Sequence, residues 1–326
     1  GGWGWSPRKP RPDEPCAPLG RELLTNGAIQ PRGKVKMFGS HLSISGGLHN
    51  ALLDAQKLDM DCVQVFTKNQ RQWQVKPLAQ DEIDAWFTHR KETGIKSVVS
   101  HDSYLINLAS PPGADNRAKS IALFREEIER CEALKIPYLV THPGSHLGEG
   151  EEEGLNRIIA ALDEVHDATA GCKTVTLLEI TAGQGTNLGY RFEHLQHIIQ
   201  GVREPERLAV CLDTAHLLAA GYDLTSKAGA KAVLDKCDAV VGLDAVRCVH
   251  MNDSKVARGS RVDRHEHIGL GHVALDAFAV IVNDAKLKRV PKILETAKED
   301  TPQGKPWDAV NLEVLRGLVK GPKRKK

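Results

Sequence analysis

The sequence predicts an α/β protein, a single-domain (β/α)8 or TIM barrel, on three observations. Eight short runs rich in β-branched and apolar residues alternate with eight longer stretches of helical period. The alternation fills residues 34–319, close to the ~250 residues usual for such a barrel. Metal-binding residue types recur at the ends of the strand runs, and in this fold all strand ends open onto one face. An open doubly wound sheet is the alternative. Its dinucleotide fingerprint GxGxxG is missing from the first strand-to-helix turn, which reads "SISGGL".

In chain order, "VKMFGSHL" is the first strand and residues 47–58 its helix; "DCVQVFT" is followed by a helix over 79–93. "KSVVSH" leads to a helix over 116–134, where Ile121, Phe124, Ile128, Cys131 and Leu134 mark one buried stripe. "YLVTHPG" precedes a helix over 155–169, "TVTLLEIT" one over 193–202, and "LAVCLDTAH" one over 227–236. "RCVHMND" and then the loop "RVDRHEH" lead to a helix over 275–285; "KILETA" and a helix over 309–319 close the repeat. Residues 1–33 are rich in Pro and Gly without either period and read as a flexible extension. Residues 320–326 form a basic tail.

Composition sets the class. The net charge of +2 includes five positive charges in the tail (Lys320, Lys323, Arg324, Lys325, Lys326), so the rest carries −3 and is not a nucleic-acid binder by bulk charge. No apolar run spans a bilayer and no secretory leader is recognisable, so no membrane partner is expected. Seven cysteines without a CxxC pair argue against a disulfide framework and for an intracellular compartment; Cys62, Cys211 and Cys248 read as small buried hydrophobes.

The chemistry lies at the strand ends. Strand three ends in His101, strand four in His142, strand five in Glu179, strand six in Asp213 with His216 three residues on, strand seven in His250 and strand eight in Glu295; the following loop of strand seven adds Asp263 and His265. Any one of these is as readily a hydrogen-bonded core residue or a helix cap. Together they would be a costly accumulation of buried polar groups unless cations neutralise them. Imidazole and carboxylate without thiolate suit Zn²⁺, and also Mn²⁺ or Fe²⁺; nine ligands fit two or three ions with Glu179 shared. Such a cluster activates water and stabilises both oxygens of a displacement at phosphorus, so phosphodiester hydrolysis is the natural reaction. Sugar isomerisation on the same barrel is the rival enzyme reading, and a damaged-DNA binding module with structural zinc the non-enzymatic one. His41, His146, His267 and His272 are candidates for orienting ligands. His49, His89, His166, His194 and His197 fall in helical stretches and are expected at the surface.

The motifs "FTKNQRQW", "HDSYLINLASP", "HPGSH", "LEITAGQG", "CLDTAH", "HMNDSK" and "VDRHEHIGLG" occur in an order that resembles the endonuclease IV family of apurinic/apyrimidinic (AP) endonucleases, over about Val35 to Val319. The resemblance implies a trinuclear zinc site that cuts duplex DNA 5′ to an abasic site, leaving a 3′-hydroxyl and a 5′-deoxyribose phosphate, and that often trims blocked 3′ ends. It implies that Glu179 bridges two ions, one with His101 and His142 and the other with Asp213, His250 and Glu295. The third would take His216, Asp263 and His265. Glu179 would also orient or deprotonate the attacking water. Arg71, Gln72, Tyr104 and Leu105 become the candidates for opening the duplex and filling the gap, although Trp73 and Tyr104 could equally pack on the barrel rim. A monomer is implied, cytoplasmic in a bacterium and nuclear or organellar in a eukaryote.

Overall fold

A computed structural model describes residues 37–320. The barrel strands are β1 (Phe38–His41), β2 (Cys62–Val65), β3 (Ser97–His101), β4 (Tyr138–Thr141), β5 (Val175–Glu179), β6 (Leu208–Asp213), β7 (Val246–His250) and β10 (Lys292–Leu294). They pair in parallel in that order, and β10 returns to β1 to close the barrel. The helices are α1 (Asn50–Lys57), α2 (Gln80–Thr93), α3 (Asp115–Ala133), α4 (Glu151–Ala168), α5 (Phe192–Gly201), α6 (Thr214–Ala220), α7 (Lys227–Val240), α8 (Leu275–Asn283) and α9 (Trp307–Gly317). Among the described residues no helix is long and apolar enough to cross a membrane. The extension 1–33 and tail residues 321–326 lie outside the described residues.

Strand side chains alternate between two faces, and the apolar residues accordingly divide into two clusters. Val63, Val98, Leu139, Leu178, Val210, Val249 and Leu294 join the large layer between barrel and helices. Cys62, Val99, Val140, Leu177, Ala209, Cys211, Cys248 and Ile293 form a small separate cluster that fills the barrel. The cysteines there are fully buried thiols, as their apolar settings predict.

Three local expectations change. Strand six ends at Asp213 as expected, but a short helix, α6, follows it directly, ahead of the helix expected over 227–236; Asp213 Oδ1 accepts from His216 N at 2.7 Å and caps it. The charged heptapeptide is not all loop, since His265–Glu266 form β9, an antiparallel partner for β8 (Asp253–Ser254). His166 and His194 are buried rather than at the surface, because each sits on the inward stripe of its helix. His194 Nδ1 accepts from Gly189 N at 3.2 Å. The stripe of α3 is as expected at Phe124, Ile128, Cys131 and Leu134, but Glu127 and Arg130 are buried on it as well.

Closure leaves little room between β1 and β2. A Cβ built on Gly39, which is in register with Cys62, would lie 1.8 Å from the Cys62 carbonyl oxygen. Gly39→Ala should therefore lower the unfolding free energy by about 3 kcal/mol, read as a fall in the urea midpoint. An unchanged midpoint would show that the two strands can separate at no cost.

Candidate metal centre

The parity that fills the barrel also builds its mouth. His101, His142, Glu179, Asp213, His250 and Glu295 each lie two residues beyond an inward-facing member of the inner cluster: Val99, Val140, Leu177, Cys211, Cys248 and Ile293. Two residues along a strand return to the same face, so these side chains stack as a polar layer on the apolar plug. His216 comes from the first turn of α6, and Asp263 and His265 come over from the loop containing β9.

All nine candidate ligands meet in one continuous group. His101 Nε2 and His142 Nε2 lie 3.3 and 3.4 Å from Glu179 Oε2. His250 Nδ1 lies 3.1 Å from both Glu179 Oε1 and Glu295 Oε2, and 3.8 Å from Asp213 Oδ2. His216 Nε2 is 3.1 Å from Asp263 Oδ2, while His265 Nε2 is 3.4 Å from Asp263 Oδ1 and 3.7 Å from Asp213 Oδ2. Among the described residues four sets have donor atoms mutually within 4.8 Å: His101, His142 and Glu179; Glu179, Asp213, His250 and Glu295; Asp213, His216 and His265; and Cys211, Cys248 and His250, whose thiols belong to the apolar plug.

Ring tautomers test whether cations fit. His101 Nδ1 faces the Asp102 carbonyl at 2.9 Å, His216 Nδ1 the Ile180 carbonyl at 3.0 Å, and His265 Nδ1 the Glu295 carbonyl at 3.3 Å. A carbonyl only accepts, so in the neutral ring each Nδ1 carries the proton and each Nε2 presents a bare lone pair. For His250 the roles are reversed through Gln64. The Gln64 amide nitrogen donates to Glu295 Oε1 at 2.6 Å and to His41 Nδ1 at 2.9 Å, which leaves its oxygen to accept from His250 Nε2 at 2.8 Å. The bare atom of His250 is then Nδ1, the one facing two carboxylates. Bare nitrogens 3.1–3.7 Å from carboxylate oxygens repel unless a proton or cation lies between them, so the donor set fits Zn²⁺-type ions.

Without a metal, protons take that role. Burial pulls His101 down, but its hydrogen bond and charge interaction with Glu179, with help from Asp102 and Glu295, carry it up to about 9. Glu179 itself is held well below the carboxylate range: burial opposes ionisation, and His250 and His142 outweigh it. His101 is raised in the folded state, so its contribution to stability is complete below its ordinary value of 6.5 and is lost as pH rises through about 9. Metal-stripped protein should therefore lose melting temperature between those values, whereas zinc-loaded protein should not. Parallel melting curves with a chelator would refute the proton assignment if the loss is absent.

The other histidines divide. His41 reaches Glu295 Oε1 at 3.5 Å and so touches a candidate ligand. His267 does not; it stacks on Trp307 with ring centroids 4.0 Å apart and receives a hydrogen bond from Asn311 at 3.1 Å. His146 Nδ1 accepts from Gly150 N ahead of α4, and His272 is exposed; neither contacts the nine. Arg71 and Gln72 are exposed on the loop between β2 and α2, and Tyr104 is 64% exposed after β3. Leu105 is half-buried, and Trp73 packs against the core.

Sequence reasoning missed three supporting side chains. Gln64 follows Cys62 by two residues, the same parity that marks the ligands, and this could have flagged it. Asn252 donates to Asp213 Oδ2 at 2.6 Å and accepts from Glu295 N at 2.7 Å, holding one ligand by its carboxylate and another by its backbone. Asp253 is buried and accepts four backbone N–H groups, of Ser254, Gly269, Gly271 and Val273, at 2.7–3.0 Å, which pins the chain after β9. Gln64→Leu keeps the volume but releases His250 and Glu295, so metal affinity should drop about 10–100-fold in competition with a chromophoric chelator. Unaltered affinity would exclude Gln64 from the support of the centre.

Known proteins share this barrel. The family model described as xylose isomerase-like TIM barrel matches residues 52–318. A D-tagatose 3-epimerase-like protein superposes with a TM-score of 0.65 at 19% identity, covering 87% of this chain and 97% of that one, a likeness of fold alone. Endonuclease IV from Thermus thermophilus superposes with a TM-score of 0.75 at 35% identity, covering 87% of this chain and 98% of that one. A protein of Chloroflexus aurantiacus named probable endonuclease 4 is 49% identical over 286 residues, covering 87% of this chain and 98% of the relative. Identity at that level across nearly the full length of the relative goes beyond a shared barrel, and the chain belongs to the endonuclease IV family.

Proposed function

We propose that this protein is a zinc-dependent DNA-repair nuclease that hydrolyses the phosphodiester 5′ to an abasic site, leaving a 3′-hydroxyl and a 5′-deoxyribose phosphate, and that it also removes blocked 3′ ends. Membership of the endonuclease IV family supports AP endonuclease activity. The observation that carries the finer reading is the row of bare imidazole nitrogens facing Glu179, Asp213, Asp263 and Glu295.

His101, His142 and Glu179 would hold one ion, Glu179, Asp213, His250 and Glu295 a second, and His216, Asp263 and His265 a third. When bound, such ions acidify water and offset the negative charge that grows on phosphate oxygens during displacement. The chain's own residues do the rest. Glu179 is fully buried and belongs to both the first and the second ligand set, which suits its carboxylate to orient the attacking water or take its proton. The remaining body charge of −3 becomes +3 with three divalent ions, so the mouth attracts a polyanion. Recognition uses the absent base: a nucleotide without one unstacks cheaply, and Arg71, Gln72, Tyr104 and Leu105, on the loops after β2 and β3, would fill the gap.

The test is an end-labelled duplex with one abasic analogue beside an undamaged control. One cut 5′ to the lesion with a 3′-hydroxyl terminus is expected, abolished by chelation. Glu179→Gln should fold and bind the damaged duplex yet cut about 10²–10⁴-fold more slowly. Full cleavage by that variant would remove Glu179 from its role.

A further inference from the structure

The buried face of α3 meets the loop after β2 through a charged pair that the metal centre does not use. Lys68 and Glu127 have side chains 2% and 1% exposed, and Lys68 Nζ lies 3.4 Å from Glu127 Oε1. Burying such a pair is worthwhile in physical terms only if its other hydrogen bonds are met by specific groups. The Lys68 ammonium finds those groups in one loop: it donates to the carbonyls of Asn69 and Gln72, both at 3.3 Å. Glu127 Oε2 accepts from Thr67 Oγ1 at 3.0 Å, at the base of the same loop. Arg130, one turn along α3, donates to the Thr67 carbonyl and, at 3.1 Å, to the Lys76 carbonyl, spanning the loop from its root to its far side.

A second tie joins this loop to its neighbour. Ser103 is buried, and its hydroxyl donates to the Gln70 carbonyl at 2.6 Å while accepting from Leu105 N at 3.3 Å. The tip is folded on itself by Asn69, whose Oδ1 accepts from Arg71 N at 2.9 Å and whose carbonyl accepts from Gln72 N at 3.3 Å. An exposed tip bearing Arg71 and Gln72 thus rests on a buried ammonium, fastened to the loop that presents Tyr104.

We propose that Lys68 and Glu127, with Arg130 and Ser103, are positioning residues that hold the Arg71–Gln72 tip and the Tyr104 loop at a fixed separation, and that this separation sets preference for a baseless position over an intact duplex. The inference rests on the reading of the protein as an abasic-site nuclease. None of the four residues needs to touch the reacting atoms; they act through the tips they hold.

Breaking the pair on one side strands a buried charge and risks the fold, so the decisive variant replaces both partners. Lys68→Met with Glu127→Met keeps volume and leaves the local net charge unchanged, and apolar replacement of a buried ion pair is commonly tolerated. On a purely structural role this double variant should be normal once its melting temperature and zinc content match wild type. On the positioning role, KM for the abasic duplex rises by about tenfold or more with kcat little changed, the preference for abasic over undamaged duplex falls, and the Arg71 and Gln72 amides exchange faster in the free protein. Ser103→Ala, which leaves the ion pair intact, should give a smaller change of the same kind and serves if the double variant does not fold. Wild-type KM, preference and amide exchange in folded variants would overturn the proposal. If wild type itself fails to prefer an abasic duplex, the nuclease reading fails, and amide exchange still decides whether the pair holds the loop.

Discussion

Four carboxylates and five imidazoles aimed at one another across 3.1–3.8 Å repel unless positive charge lies among them, and the rest of the molecule is arranged around that repulsion. Six of them cannot swing away, because they are held from behind. Carbonyl oxygens of Asp102, Ile180 and Glu295 fix three rings, Gln64 fixes a fourth, and Asn252 fixes the carboxylate of Asp213 and the backbone of Glu295. A site that stays open to cations is what remains when relaxation is forbidden.

The barrel supplies the rigidity. Its interior is plugged by one layer of small and branched apolar side chains drawn from seven of the eight strands, and the polar layer sits directly on that plug. Parity couples the two, so a strand that slipped by one residue would turn both its apolar plug and its ligand outward. Gly39, with no room for a methyl group beside Cys62, shows how tightly the ring is drawn.

Around this rigid mouth the loops are fastened by individual buried polar groups as well as by apolar packing, such as that of Trp73. Asp253 gathers four amides of the chain near β9, and Lys68 with Arg130 gathers carbonyls of the loop after β2. Loops carry unpaired backbone groups by nature, and a single buried charge can satisfy several of them while leaving the tip exposed.

Much of this was legible in the chain. Alternating strand and helix periods specified the barrel, and ligand-type residues at successive strand ends specified one crowded face, because both signals repeat locally and survive without any knowledge of contacts. Local reading failed where a distant partner or a cap decided the outcome. Asp213 caps a short α6 that no helical run announced, inward stripes buried His166 and His194, and β8 drew His265–Glu266 into a ribbon. Gln64 and His250 lie 186 positions apart, and Lys68 meets a helix far along the chain in Glu127. By itself the sequence determined the periodicities and the chemistry available at the strand ends. Only closure of the barrel decided which nitrogens stand bare, which carboxylates they face and which loop a buried ammonium holds, because those depend on separations that no local pattern encodes.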